Sequence, residues 1–495
     1  MGLKSKWPKR FLIAFSLSAI LYLILLIPDS APPVPPTTDR EPFAWNQDQY
    51  WSLLESQFKQ AREAGCVGLS SRIAIELARN DSLLTRLQVD TLAPGAPIFQ
   101  DIESSFFTLG VYLAACPERS PEYLKAFGRM RTDAKNQCAH WDMNSRAARD
   151  CIYRLLYGGR TAVEEALLQS PTKALPEAAF ENDEPSATPS ATILGIKIHS
   201  GDILVSRGGA PTSALIARGN DYPGNFSHVA LAYVDESSAK VSLIESHIEK
   251  GVAIADLDTY LNDTKLRIMI LRLRSDLPAL QADPLLPHRA AAFELARAKS
   301  EHIPYDFAMD IQDRTELFCS EVASEAYAHF GVTLWMGLSH MSSPGVKSWL
   351  SAFGVRHFTT QEPADLEYDP QLRVVAEWRD YETLLKDRLD NAVVDIMLES
   401  ADKGEILDYD WYLLPAGRIL KAYSFVLNKF GAVGPVPEGM NATAALRNKW
   451  FSRKHDGIKA RLTSLAQNFE QDNGYSPPYW ELIKLARLAT SPVDW

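Results

Sequence analysis

The chain has 495 residues, with 46% hydrophobic and 23% charged residues, a globular composition that excludes wholesale disorder and collagen-like or low-complexity repeats. Lys and Arg total 51 against 62 Asp and Glu, a net charge of -11 that argues against a nucleic-acid partner, because phosphate binding needs a basic face. At that length two to four structural units are expected, and five cysteines are too few for a small disulfide scaffold.

The N-terminus reads as an anchor. Lys4, Lys6, Lys9 and Arg10 precede an uncharged run from Phe11 to Ile27, FLIAFSLSAILYLILLI. A basic segment before such a run is an export signal, and this run is at the short limit of a membrane span. The only small-x-small site ends at Ala31, with Pro32 immediately after it, so an uncleaved transmembrane helix over 1–28 is expected rather than a cleaved signal. The positive-inside rule then puts the rest of the chain outside the cytoplasm. Residues 29–44 are a Pro-rich spacer, expected to be stiff and extended.

Residues 45–169 carry helical periodicity in SRIAIELARN, FFTLGVYLAA, EYLKAFGRM and SRAARDCIYRLLYGG. Cys66, Cys116, Cys138 and Cys151 all lie here, and in an oxidising compartment they are expected to form two bridges, leaving Cys319 free. No tight CxxC pair supports a zinc site, and no metal or other cofactor is expected. A Pro-, Ala- and Ser-rich linker covers 170–192. From 193 to 385 short β-rich runs (ILGIKI, GDILVSR, SHVALAYV, KVSLIESH, LRIMILRL) give way to helical texture, which predicts an α+β domain. Residues 386–495 are helical again, and their role is open.

Three segments of the α+β domain carry chemistry. His228 lies early in a strand, Glu245 and His247 lie two residues apart on the next strand and therefore on one face, and Cys319 opens a helix. A thiol attacks as the thiolate; a helix N-terminus and a neighbouring imidazole lower its pKa, and a third polar group orients the imidazole. Spacing alone leaves Glu245 and His247 as rival orienters.

The order His, Glu, Cys, with GDI upstream, SHV on a strand, YD before FCSE, and SSPG at 342–345, resembles the circularly permuted papain-like cysteine amidases. These are the YaeF/YiiX-like branch of the superfamily that includes the NlpC-type cell-wall peptidases. The resemblance spans roughly 195–350 and implies a permuted papain-like fold with Cys319 as nucleophile, His228 as general base and Glu245 as orienter. Tyr305 becomes a candidate for lining the substrate cleft, while Gly201 and Asp202 match a structural turn. His302 and Asp306 receive no role.

The expected function is a thiol-dependent hydrolase, an amidase or peptidase, with peptidoglycan peptide or a lipid-linked amide as the substrate class. The body is expected in the periplasm, held to a bacterial inner membrane. The same acyl-enzyme could serve an acyltransferase, and a non-catalytic envelope binding module is the reading from another class. The sequon Asn225-Phe226-Ser227 beside His228 is consistent with a chain that never meets glycosylation machinery. No phosphate loop, HExxH helix or GxSxG elbow occurs, so NTPase, zincin and lipase readings drop out.

Overall fold

The computed structural model describes residues 7–36, 39–170, 177–180 and 184–490, and leaves aside the side chains of 7–12 and 14. Six helices come first: α1 (Trp7–Leu25), α2 (Asp48–Leu87), α3 (Pro97–Ala114), α4 (Ser120–Cys138), α5 (Arg146–Tyr153) and α6 (Gly159–Leu168). Helices α2 to α6 enclose one core around Ile73, Ile102, Phe106, Met130 and Leu156. The helix α2 bends at Gly65, whose φ of 64° lies in the left-handed region that favours glycine.

Among the described residues no helix is long and apolar enough to cross a membrane. The expected span therefore lacks that support, and its leading basic residues Lys4 and Lys6 lie outside the described residues. From Ile13 onward α1 turns most of its described apolar side chains to the exterior. The Pro-rich spacer lies on the body rather than standing free. Ser351 Oγ donates to Pro32 O at 2.5 Å, and Lys347 Nζ to Pro36 O at 3.4 Å.

The central region is built on strands β1 (Ala178–Phe180), β2 (Ser190–Ile193), β3 (Ile196–His199), β4 (Ile203–Gly208), β5 (His228–Val234), β6 (Val241–His247), β7 (Gly251–Asp256), β8 (Lys265–Leu273), β9 (Ser339–His340), β10 (Thr359–Thr360) and β11 (Leu372–Trp378). Seven of them form one antiparallel sheet in the order β1-β11-β8-β4-β5-β6-β7. The edge strand β1 comes from the segment expected to be a linker; positions 171–176 and 181–183 of that segment lie outside the described residues.

Alternation along the strands divides their side chains between two cores. Ile203, Val205, Val229, Leu231 and Met269 meet Ala290, Val322 and Ala326 of the helices over 286–300 and 319–328, while Leu204, Ala230, Ala232 and Leu243 meet Tyr260 and the β2–β3 hairpin. The helices of this region are α7 (Pro211–Arg218), α8 (Leu257–Asn262), α9 (Pro278–Ala282), α10 (Leu286–Ser300), α11 (Cys319–Ala328) and α12 (Pro344–Phe353).

Four helices close the chain: α13 (Tyr381–Asp402), α14 (Leu414–Lys429), α15 (Ala442–Asn473) and α16 (Tyr479–Ala489). Trp349 and Phe353 of α12 complete their core with Val393, Phe451 and Leu482. The result is a mixed α/β structure with helical flanks.

Candidate active site

Strand β5 begins at His228, and β6 runs beside it with Glu245 opposite Ala230. The two-residue repeat of a strand therefore sets His228 and Glu245 on one face, diagonally across the pair. His228 Nε2 and Glu245 Oε2 are 2.7 Å apart. His247, two residues further on, places its own Nε2 3.0 Å from Glu245 Oε1. The carboxylate thus holds both imidazoles, whose rings are 5.3 Å apart. The expected rivalry between Glu245 and His247 becomes a chain of contacts, with Glu245 in the middle.

Cys319 is the first residue of α11. Its helix start is locally encoded: Phe318 is extended at the N-cap, and Glu321 reaches back to accept from the Phe318 amide at 2.9 Å. Ser246 Oγ of β6 donates to Leu317 O at 2.6 Å, and the Leu317 amide donates to Pro304 O at 2.9 Å. These bonds lock the residues before the nucleophile candidate onto the sheet and onto the loop carrying Tyr305. That loop crosses Gly251 so closely that a Cβ there would lie 2.1 Å from Ile303 O. A glycine is required at this crossing.

Cys319 Sγ lies 4.0 Å from Ser227 O, so the thiol sits against the backbone next to His228. Among the described residues this carbonyl, not the imidazole, is its acceptor. The thiol is only 5% exposed, and burial pushes its pKa up to about 12, against the opposing pull of the Val229 amide and Ser320. Burial also holds His228 below its ordinary 6.5 despite the Glu245 contact. Glu245 itself is buried, which alone would raise its pKa, but the hydrogen bonds from His228 and His247 hold it well below the usual carboxylate range. The resting site is a neutral thiol, a neutral imidazole and an ionised carboxylate. The expected lowering of the thiol pKa by the helix start is outweighed by desolvation.

An ionised carboxylate only accepts hydrogen bonds, so the proton of the short contact sits on His228 Nε2 and leaves Nδ1 with the free lone pair. The site oxygens and nitrogens of His228, Glu245 and His247 lie within 4.8 Å of one another, a set that could also hold a metal ion. Here the carboxylate already bridges the two imidazoles through hydrogen bonds.

Tyr305 is half-buried with its ring 5.0 Å from that of Phe307, and the negative charge of a Cys319 thiolate would act on it. Gly201 takes φ +95° against Pro287, and Asp202 pairs with Arg272 through both oxygens, so both residues shape the fold. His302 contacts Glu438 and Asp306 accepts from the amides of Ala308 and Asp310. Glu362 was not legible as a site residue. It is buried, desolvation holds its pKa well above the ordinary carboxyl value, and any negative charge it carried would raise the pKa of Cys319 further. No motif marks it, since it arrives from the segment after β10 through tertiary packing alone.

Two expectations change. Among the cysteines, Cys66 and Cys116 are bonded, while Cys138 and Cys151 are separate buried thiols, so one bridge replaces two. Asn225 of the sequon is 6% exposed and accepts from Arg160 at 3.4 Å. The fold itself closes that site, which removes its bearing on compartment. A cavity of about 730 Å³ opens between Trp51, Phe107, Tyr157, Tyr479 and Trp480, and none of Cys319, His228, Glu245 or His247 lines it.

No curated protein and no solved structure matches the chain. Residues 197–376 match the family described as permuted papain-like amidase enzyme, YaeF/YiiX, C92 family, and over that span the chain is similar to the cysteine amidases its motifs resemble.

Proposed function

We propose that the chain is a membrane-anchored thiol amidase in which Cys319 is the nucleophile, His228 the general base and Glu245 the residue that orients the imidazole. The observation that carries this reading is the 2.7 Å contact of His228 with an ionised Glu245 beside a thiol at a helix start. With Nε2 committed to Glu245, Nδ1 of His228 takes the thiol proton as Sγ attacks the amide carbonyl. The neutral pair makes this transfer concerted with attack, and substrate binding must bring thiol and imidazole together. The positive end of the α11 dipole, at Cys319 and Ser320, favours the anion that develops on the carbonyl oxygen. His228 then protonates the leaving amine, and water, deprotonated by the same nitrogen, cleaves the thioester.

The substrate proposed is an amide of the cell envelope, either peptidoglycan peptide or a lipid-linked amide. We place the body in the periplasm, behind an inner-membrane helix. The basic residues preceding Phe11 support this orientation, as does the Cys66–Cys116 bridge.

The test is incubation of the full chain in detergent with an electrophilic thiol probe, then with peptidoglycan fragments and N-acyl amides, products being weighed by mass spectrometry. A Cys319 adduct and a free amine that disappears in Cys319→Ala are expected. Product carrying an added amine or alcohol would assign acyl transfer instead, and binding without turnover would leave a ligand-binding module.

A further inference from the structure

The stretch Trp411 to Val433, which includes α14, contains Arg418, Lys421 and Lys429 but no Asp or Glu, in a chain whose net charge is -11. It is also where the body exposes large apolar side chains. Phe430 is 83% exposed, Ile419 65%, Trp411 61% and Phe425 59%, with Tyr412, Tyr423, Val426 and Val433 also open. Monomeric proteins rarely leave large contiguous apolar patches to water, and this stretch concentrates exposed aromatic and aliphatic side chains.

What covers it follows from its neighbour. Arg418 of α14 donates to Ile24 O at 3.2 Å and also to Ile27 O, which caps the end of α1. Just beyond, the Asp29 amide donates to Thr443 Oγ1 at 2.9 Å. The exposed apolar helix α1 is therefore tied at its end to α14. At sixteen residues α14 is too short to span a bilayer, but a helix with aromatic and aliphatic residues, cations and no acids suits the plane of the headgroup boundary.

The same helix reaches the catalytic neighbourhood. Ser424 Oγ accepts from the Val436 amide at 2.9 Å, and Lys421 donates to Pro437 O at 2.8 Å, which fixes the loop after α14. Val436 and Met440 of that loop pack with Phe307, beside Tyr305. Glu438 bonds His302 at 2.9 Å, and its amide donates to Glu249 O at 3.3 Å, two residues beyond His247. The loop thus joins α14 to the segments on both sides of the site.

We infer that Trp411–Val433 lies in the surface of a lipid bilayer next to α1 and presents the Cys319 site to amides whose lipid part remains in that bilayer. The substrate half of this inference rests on the amidase reading; the bilayer half does not.

The experiment uses the full chain reconstituted in vesicles of phosphatidylethanolamine and phosphatidylglycerol. An environment-sensitive fluorophore is attached at Phe425→Cys or Phe430→Cys, with Val67→Cys as an exposed control on α2, in a Cys319→Ser background. The expected result is quenching by bromine on the lipid chains at 425 and 430 and by aqueous iodide at 67. Iodide quenching at all three overturns the bilayer contact. So does protection at 425 that is insensitive to bromolipid and grows with protein concentration, since a second copy would then cover the patch. In a second arm the variant Ile419→Gln/Phe425→Gln/Phe430→Gln, with Cys319 intact, should turn over a vesicle-embedded N-acyl amide about tenfold or more slowly, as the lost apolar burial predicts. A short water-soluble N-acyl amide should be cleaved at the parent rate. Equal loss on both overturns the presentation role. Absence of turnover by the parent on either substrate refutes the amidase reading and with it the substrate half, while leaving the fluorescence result standing.

Discussion

Both helical flanks are joined to the central sheet by buried ion pairs, Asp387 of α13 reaching Arg207 of β4 at 3.1 Å and Arg267 of β8 at 2.6 Å, but they differ in what they leave open. The N-terminal flank is joined to it by buried ion pairs: Arg131 with Glu367 and Glu377, Arg160 with Glu367, Arg149 with Asp365, and Arg267 of β8 with Glu164. Tyr153 also donates to Pro223 O at 2.6 Å, on the loop that leads to His228. The C-terminal flank buries one side against α12 and leaves α14 apolar and open, while its loop grips the Tyr305 segment. Both additions therefore share the domain's interior, and the second also leaves the apolar side chains of α14 open. Each abuts a different half of the site, the base on one side and the approach to the thiol on the other.

This contrast can be broken in stages. The largest effect belongs to the site between the flanks: Cys319→Ala and His228→Ala should abolish amide turnover and leave the urea unfolding midpoint nearly unchanged. A large fall in midpoint would make these residues part of the packing instead. Next comes the first flank. Arg160→Met strands the buried Glu367 without one of its cations, and should cost about 3–5 kcal/mol in urea unfolding. An unchanged midpoint would mean that the N-terminal helices are merely appended.

The orienting residue ranks third. Glu245→Gln keeps the shape but removes the charge that stabilises the imidazolium, and should lower kcat on the order of ten- to a thousandfold. His247→Gln, which touches only the far oxygen of Glu245, should cost little; the reverse ranking would make His247 the orienter. A fourth test is the pH profile. The base must be neutral to act, and burial holds His228 below 6.5, so activity should fall only as pH drops below that value. An acid limb above 6.5 would show that burial does not dominate at His228. The smallest signal is a count. Denaturing alkylation without reductant should label three thiols, Cys138, Cys151 and Cys319, and five after reduction. Labelling of only one would restore the second bridge and change how the first flank is held.

Much of the site was written locally. A strand repeat of two residues puts Glu245 and His247 on one face wherever the strand is placed, and Phe318-Cys319-Ser320-Glu321 carries its own helix start. The order of His, Glu and Cys, and the start of α12, where Ser343 Oγ accepts from the Val346 amide at 3.2 Å, are legible within their own segments. The helical texture of the flanks was legible in the same way, since apolar spacing at three and four residues belongs to the helix alone.

What spacing could not decide depended on which distant segments meet and how much water they exclude. The pairing of Cys66 with Cys116 requires α2 and α3 to lie side by side, with Cα atoms 5.1 Å apart, while Cys138 and Cys151 are buried apart. The thiol at a helix start was expected to be acidified, but its burial beneath β5 raises its pKa to about 12. Glu362 is buried through distant contacts: Gln361 beside it bonds Ser324 of α11 at 3.0 Å, and Trp335 Nε1 donates to the Glu362 carbonyl at 2.9 Å. The open face of α14 has the composition of an ordinary core helix, and only the packing of its neighbours shows that nothing in the described chain covers it. The sequence by itself determined the local geometry and the order of the reactive groups. Desolvation and long-range contact, which depend on the whole fold, decided their protonation, their partners and the surface beside them.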